Sequence, residues 1–399
     1  MRICHTLAVF IATASIAAAA PGDEKITVTE WANFLGLTPP TPIAITGFPE
    51  ETARILRFDL TVMGFTNVSP EAADIELSGS TSGNVQGQLS RGKAGARTVL
   101  FSRAYSGPSL RGQAHRLSDD TVMQLTGING IAETRIAFKA ASGRSSEIYV
   151  ADFDGFDAQP VTQDHSIVAA PCWVPGHLSL FYTSYKSGYD NIFFQNLDSG
   201  ERRNYSHYPG MNGSAAVSPD ASMVATILGK TGRDNVFVSD FNGSNLRQLT
   251  DTHEFESSPC WSADGKWIYY ASHIDGRRTL CKVSVNGGRA ERVPTSGVVN
   301  PSEPDCSPDG QWIAFTSQMR DFSICVIPTE SNHAASRRAV ILVDGQDPSW
   351  APNSRTLIFV RRVAGRDVLS LLDVPTKQVK DVSRVSGSDS NNSQPTWAR

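Results

Sequence analysis

The chain has 399 residues, is 40% hydrophobic and 19% charged, and carries a formal net charge of −4. That length exceeds one ordinary core and suits two domains, and the composition is globular, not disordered. Both signs of charge are dispersed and no basic stripe stands out, which argues against nucleic acid as a partner.

In chain order, the first element is a targeting segment. Arg2 precedes an Ala-rich apolar run over 7–20. The run is too short to span a bilayer and ends in small residues that suit signal peptidase, so residues 1–20 are expected to be a signal peptide. Cys4 lies before the apolar run, which argues against a lipoprotein signal. The mature chain is expected outside the cytoplasm, without integral membrane insertion.

Residues 21–134 form a region of their own. A short strand over 43–45 leads into a helix over 49–63, with Ala53, Leu56, Leu60 and Met63 along one face. Strands follow over 75–77, 85–89 and 98–102. A second amphipathic helix over 110–125 stops at Gly127, giving a small mixed α/β domain. His115 and Asp119 share a face of that helix, as a surface pair or as a cap on a neighbouring strand. Trp31 and Phe34 read as core of the small domain or as an exposed anchor.

From 135 onward the sequence repeats. Pro171-Cys-Trp-Val-Pro-Gly176, Ala215-Ala-Val-Ser-Pro-Asp220, Pro259-Cys-Trp-Ser-Ala-Asp-Gly265, Pro304-Asp-Cys-Ser-Pro-Asp-Gly310 and Pro348-Ser-Trp-Ala-Pro-Asn353 recur at intervals of 44 or 45 residues. Ser-Pro-Asp-Gly is β-turn chemistry: proline fixes φ, aspartate bonds back to the backbone, and glycine accepts positive φ. Apolar β-branched and aromatic strands follow each turn, and four strands per period of this length mark a propeller blade. A partial copy over 135–162 lacks its first strand, while Gln394-Pro-Thr-Trp397 supplies one. Together they make a sixth blade that closes the ring over 135–399 without a free edge. The predicted fold is therefore mainly β: a six-bladed β-propeller of four-stranded antiparallel blades preceded by the small α/β domain. Trp173, Trp261, Trp350 and Trp397 are expected to fill the space between blades. The cysteines read as small apolar packing, with in-blade bridges Cys260–Cys281 or Cys306–Cys325 as the oxidised alternative.

Catalytic patterns are sparse. No Gly-x-Ser-x-Gly elbow occurs, and Gly79-Ser-Thr-Ser-Gly83 reads as a loop. Asp152-Phe-Asp-Gly-Phe-Asp157 has its glycine in the wrong place for a calcium loop and sits where each blade has a turn. His165, His207 and His253 all precede blade anchors. Their convergence on a metal would make the chain a propeller enzyme, like a metal-dependent polysaccharide lyase acting on an extracellular glycan. The competing reading makes them polar rim residues of a protein-binding face.

The segment joining the two regions is more specific. Ala114-His-Arg-Leu-Ser-Asp119, Leu125-Thr-Gly127, Gly130-Ile131 and Thr134-Arg-Ile-Ala-Phe138 resemble the junction of the TolB family of the Tol-Pal envelope system, and Pro42-Ile-Ala-Ile45 resembles its first strand. The resemblance implies a non-catalytic, monomeric periplasmic scaffold without a cofactor. Its propeller would bind the peptidoglycan-associated lipoprotein Pal, and its N-terminal segment the inner-membrane protein TolA, supporting outer-membrane integrity and cell division. The Pal contact maps onto Met211, Asn212, Gly213 and Ser214, where Met211 replaces the family's histidine, and onto His253 and Ser257, where Ser257 replaces a threonine. The TolA contact maps onto Ile26, Val28 and Trp31.

Overall fold

The structure is a computed structural model that describes residues 38–329, 338–382 and 391–399. The expected signal peptide, Phe34 and the partner segment with Ile26, Val28 and Trp31 lie outside the described residues. Among the described residues, no helix is long and apolar enough to cross a membrane.

The small domain runs β1 (Thr41–Thr46), α1 (Glu50–Val62), β2 (Phe65–Asn67), β3 (Ile75–Ser80), β4 (Val85–Arg91), β5 (Thr98–Tyr105) and α2 (Leu110–Thr126). Its sheet has the order β2-β1-β3-β4-β5, with β1 parallel to both neighbours and the remaining pairs antiparallel. Leu56 and Leu60 of α1 and Ala114 and Leu117 of α2 pack on Ile43, Leu77 and Leu89 of the sheet. The Ser109 hydroxyl caps α2 by accepting from the Gly112 amide, and Gly127 ends it in the left-handed region at φ 72°.

The rest is a ring of six four-stranded antiparallel sheets. The first, innermost strands of five blades are Val168–Trp173, Asn212–Val217, Glu256–Trp261, Pro301–Cys306 and Gln346–Trp350. We number these blades one to five. The sixth is composite: Asn391–Trp397 pairs antiparallel with Arg135–Ser142, matching Trp397 to Ile136 and Thr396 to Ala137. The chain thus closes its own ring.

Every innermost strand breaks register at its middle. At each break one residue, Ala170, Ser214, Ser258, Glu303, Asp347 or Gln394, adopts a φ of 49–55°. A left-handed non-glycine residue is uncommon, and six at equivalent places mark a bulge that bends each inner strand around the channel. Side chains support part of this ring. Glu303 accepts from the Asp347 amide (3.3 Å), Asp347 from the Gln394 amide (3.0 Å), and Gln394 from the Ala170 amide (2.9 Å).

The tryptophans fill inter-blade space. Trp261 donates to the Ala216 carbonyl of the preceding blade at 2.9 Å, and Trp350 packs with Trp312 and Ala314 of the blade before it. Trp397 lies in the cluster that joins the two domains and donates to the Thr134 hydroxyl at 2.7 Å.

Candidate functional site: the open loop face

Antiparallel connectivity decides which end of the propeller is free. In each blade the turns between strands one and two, and between three and four, leave at one end. The turns between strands two and three leave at the other, with the connections to the next blade. The small domain sits on the first end. Thr356 donates to the Val62 carbonyl (3.2 Å), and Gln378 donates to the Thr61 and Phe65 carbonyls (3.2 and 3.1 Å). Arg111 of α2 pairs with Asp154 in a blade-six turn. Asp152–Asp157 is thus a hairpin turn used for docking.

The opposite face is not covered by any other described element. Its connections and turns expose Ile167, Tyr185, Tyr189, Phe255, Val299 and Met319, with Phe255 at 63% and Tyr189 at 60% exposure. These bulky apolar side chains stand in water at one end of the propeller, spread over several connections and turns.

The loops that present them are fixed from beneath by buried polar side chains. Ahead of Ile167, Asp164 accepts from both Arg202 guanidinium nitrogens (2.7 and 2.6 Å) and from the Ser184 hydroxyl (2.5 Å). Burial pushes its carboxyl up, but the bonds from Arg202 and Ser184 and the charges of Arg202 and Lys186 outweigh this and hold it at about 2. Arg202 in turn lies over the Phe193 ring, 4.4 Å from its centroid. Beside Phe255, Glu256 accepts from the Val236 amide and the Thr250 and Thr252 hydroxyls. Burial dominates there and pushes its carboxyl up.

The residues singled out from the sequence divide into two groups on this face. His253 and Ser257 are exposed. Asn212 is fully buried: it accepts from the Ser206 hydroxyl (2.9 Å) and Tyr208 amide (2.8 Å) and donates to the Tyr208 and Gly210 carbonyls (2.6 and 2.9 Å). A Cβ at Gly213 would meet Met211 Cε at 2.6 Å, so this glycine lets Met211 fold back over the strand. Ser214 is half-buried beside the central channel. Asn212 and Gly213 therefore shape the loop; they do not present side chains to solvent.

His165, His207 and His253 are all exposed. They do not form a metal centre, because among the described residues no three His, Cys, Asp or Glu side chains are close enough to hold an ion. His115 is also not paired with Asp119. It is buried and binds Asp59 of α1 at 2.8 Å, while Asp119 caps the Ala132 and Glu133 amides at 2.8 and 3.2 Å. The exposed apolar residues were not singled out in the sequence. Their signal was an aromatic or aliphatic residue inside an otherwise polar connection, as in Glu254-Phe255-Glu256.

Comparison with known proteins follows the same architecture. The family model described as the TolB β-propeller domain matches residues 122–399. The Tol-Pal system protein TolB of Bordetella parapertussis is 27% identical over 300 residues, covering 74% of this chain and 66% of that protein. The same protein of Bordetella pertussis matches at 27% over 74% of this chain and 67% of its own length. The chain thus spans about two thirds of the length of these relatives. The crystal structure of TolB from Acinetobacter baumannii superposes with a TM-score of 0.77 at 19% identity, covering 90% of this chain and 97% of that one.

Proposed function

We propose, from the premise that this chain belongs to the TolB β-propeller family, that it is a non-catalytic periplasmic scaffold of a Tol-Pal-like system. Its open loop face binds a Pal-like lipoprotein, and the segment carrying Ile26, Val28 and Trp31 engages a TolA-like inner-membrane protein. Through these two contacts it supports outer-membrane integrity and constriction at division.

The observation that carries this reading is the uncovered apolar rim on the end opposite the small domain, held in shape by buried Asp164, Asn212 and Glu256. Aromatic side chains on a prearranged loop frame supply contact area at small entropic cost. His253 and Ser257 stand exposed, Met211 is half-buried, and Ser214 lies beside the channel.

Isothermal titration of the full chain with the soluble domain of a Pal-like lipoprotein tests this. Saturable one-to-one heat is expected. Absence of heat from a chain with an intact cooperative melting transition would contradict the reading.

A further inference from the structure

The cysteines are not arranged as the in-blade bridges require. Strands one and three of a blade lie on either side of strand two, so their backbones are about 9–10 Å apart. A disulfide needs Cα atoms within about 7 Å. Cys260 and Cys281 sit on strands one and three of blade three, and Cys306 and Cys325 on strands one and three of blade four. Both bridges weighed as the oxidised alternative are therefore excluded by the sheet itself. Cys260 and Cys281 also pack into different clusters, on opposite faces of their sheet.

The close pair lies between blades. Cys260 Sγ and Cys306 Sγ are 3.7 Å apart, on adjacent innermost strands, and both residues are buried. Both also line the central channel, a cavity of about 420 Å³. Cys172 lines the same cavity from blade one, two blades away from Cys260 around the ring.

We propose that Cys260 and Cys306 are a dithiol–disulfide site that staples blade three to blade four at the channel wall. Small side-chain rotations bring two sulfurs at this separation to bonding distance. A disulfide such as oxidised glutathione is the co-reactant. One Cys260–Cys306 sulfur–sulfur bond forms as the glutathione bond breaks, two electrons pass to glutathione, and both thiol protons end on its two released thiols.

The surroundings set the timing. Burial, with Cys306 beside it, pushes the Cys260 thiol well above its ordinary value. Little Cys260 thiolate exists in the closed ring and both cysteines are buried, so the bond forms as the blades assemble and forms slowly afterwards. The cysteines are 46 residues apart in sequence. A bridge of that span restricts the unfolded chain and secures the contact between two blades that otherwise rests on apolar packing.

The full chain, unfolded in denaturant and refolded with oxidised and reduced glutathione, provides the test. Thiols are alkylated under denaturing conditions without reductant, and peptides are mapped by mass. The expected product is a linked peptide pair containing Cys260 and Cys306, with Cys172, Cys281 and Cys325 alkylated. Its melting temperature should fall on the order of 5 °C on reduction. Cys306→Ser should lose both the link and the response to reductant, and Cys281→Ser should keep both. Alkylation of both Cys260 and Cys306, or a link of either to another cysteine, would overturn the proposal. The wild-type peptide map decides even if a variant fails to fold, and it is independent of whether a lipoprotein binds the loop face.

Discussion

The two ends of the propeller are made from the same blades but use their polar groups in opposite ways. At the end under the small domain, buried ionisable groups tie together the two helices that dock there, and Arg111 of α2 crosses to Asp154 of the propeller. Asp59 and His115 pair at 2.8 Å, yet Asp59 Oδ1 and His115 Nε2 have no hydrogen-bond partner among the described residues. At the open end, Asp164, Asn212 and Glu256 accept several bonds each and hold loops whose apolar tips stay in water. One end uses buried polarity to hold the docked helices together, the other to hold exposed loops in place. The docked end should therefore respond to mutation as stability, and the open end as affinity.

Closure underlies both ends, so its loss should be the largest effect. Trp397→Ala empties a site that is 1% exposed and removes the indole bond to Thr134. A loss of about 4 kcal/mol is expected in urea unfolding. Next comes the docked end. Asp59→Ala leaves His115 buried without its carboxylate and should cost about 3 kcal/mol, with the affinity of the loop face unchanged. A large affinity change in this variant would break the division between the ends. At the open end, Phe255→Asp should leave the melting temperature unchanged and weaken binding of a Pal-like lipoprotein by tenfold or more, about 1.4 kcal/mol.

The smallest effect is in pH dependence, and it has opposite sign at Asp164 and at the raised carboxyls of the docked end, whose direction Glu256 of the open end shares. Burial pushes the carboxyls of Asp59, Asp119 and Asp152 up, with Asp119 reaching about 7. Burial opposes protonation of His115, but the Asp59 hydrogen bond and charge outweigh it and raise that group too. These folded groups hold protons more tightly than the unfolded chain, so the docked end loses stability as pH rises above the ordinary carboxylate range through about 7. Asp164 is held at about 2, so its contribution is present above its ordinary value and lost as pH falls toward 2. Urea unfolding across pH should show Asp119→Asn flattening the alkaline slope and Asp164→Asn flattening the acid one.

The sequence made some of this legible and hid the rest for physical reasons. The blade period was visible because Pro, Trp and Asp-Gly recur where turns and inter-blade packing demand them. The ring closure followed from a missing strand at one end and a spare one at the other. Both helices of the small domain showed their apolar faces, and the second its glycine stop. The three-residue strand Phe65–Asn67 left no alternation to read. The left-handed bulge residues were invisible, since Ala170, Ser214, Ser258, Glu303, Asp347 and Gln394 share no side-chain type. The cysteines read as small apolar packing, and they are free and largely buried; the in-blade alternative fails because strands one and three are separated by strand two, whereas inner strands of neighbouring blades bring Cys260 and Cys306 together. Asn212 was named as a contact through the family resemblance, and its four side-chain bonds lie within its own loop.

Hydrogen exchange of the full chain with and without a Pal-like lipoprotein tests the central claim most directly. Protection is expected to appear in the connections 162–168, 251–256 and 293–300 and in the turns 185–190 and 319–321, with the small domain unchanged. Protection confined to the small domain, or none on the loop face at saturating lipoprotein, would contradict it.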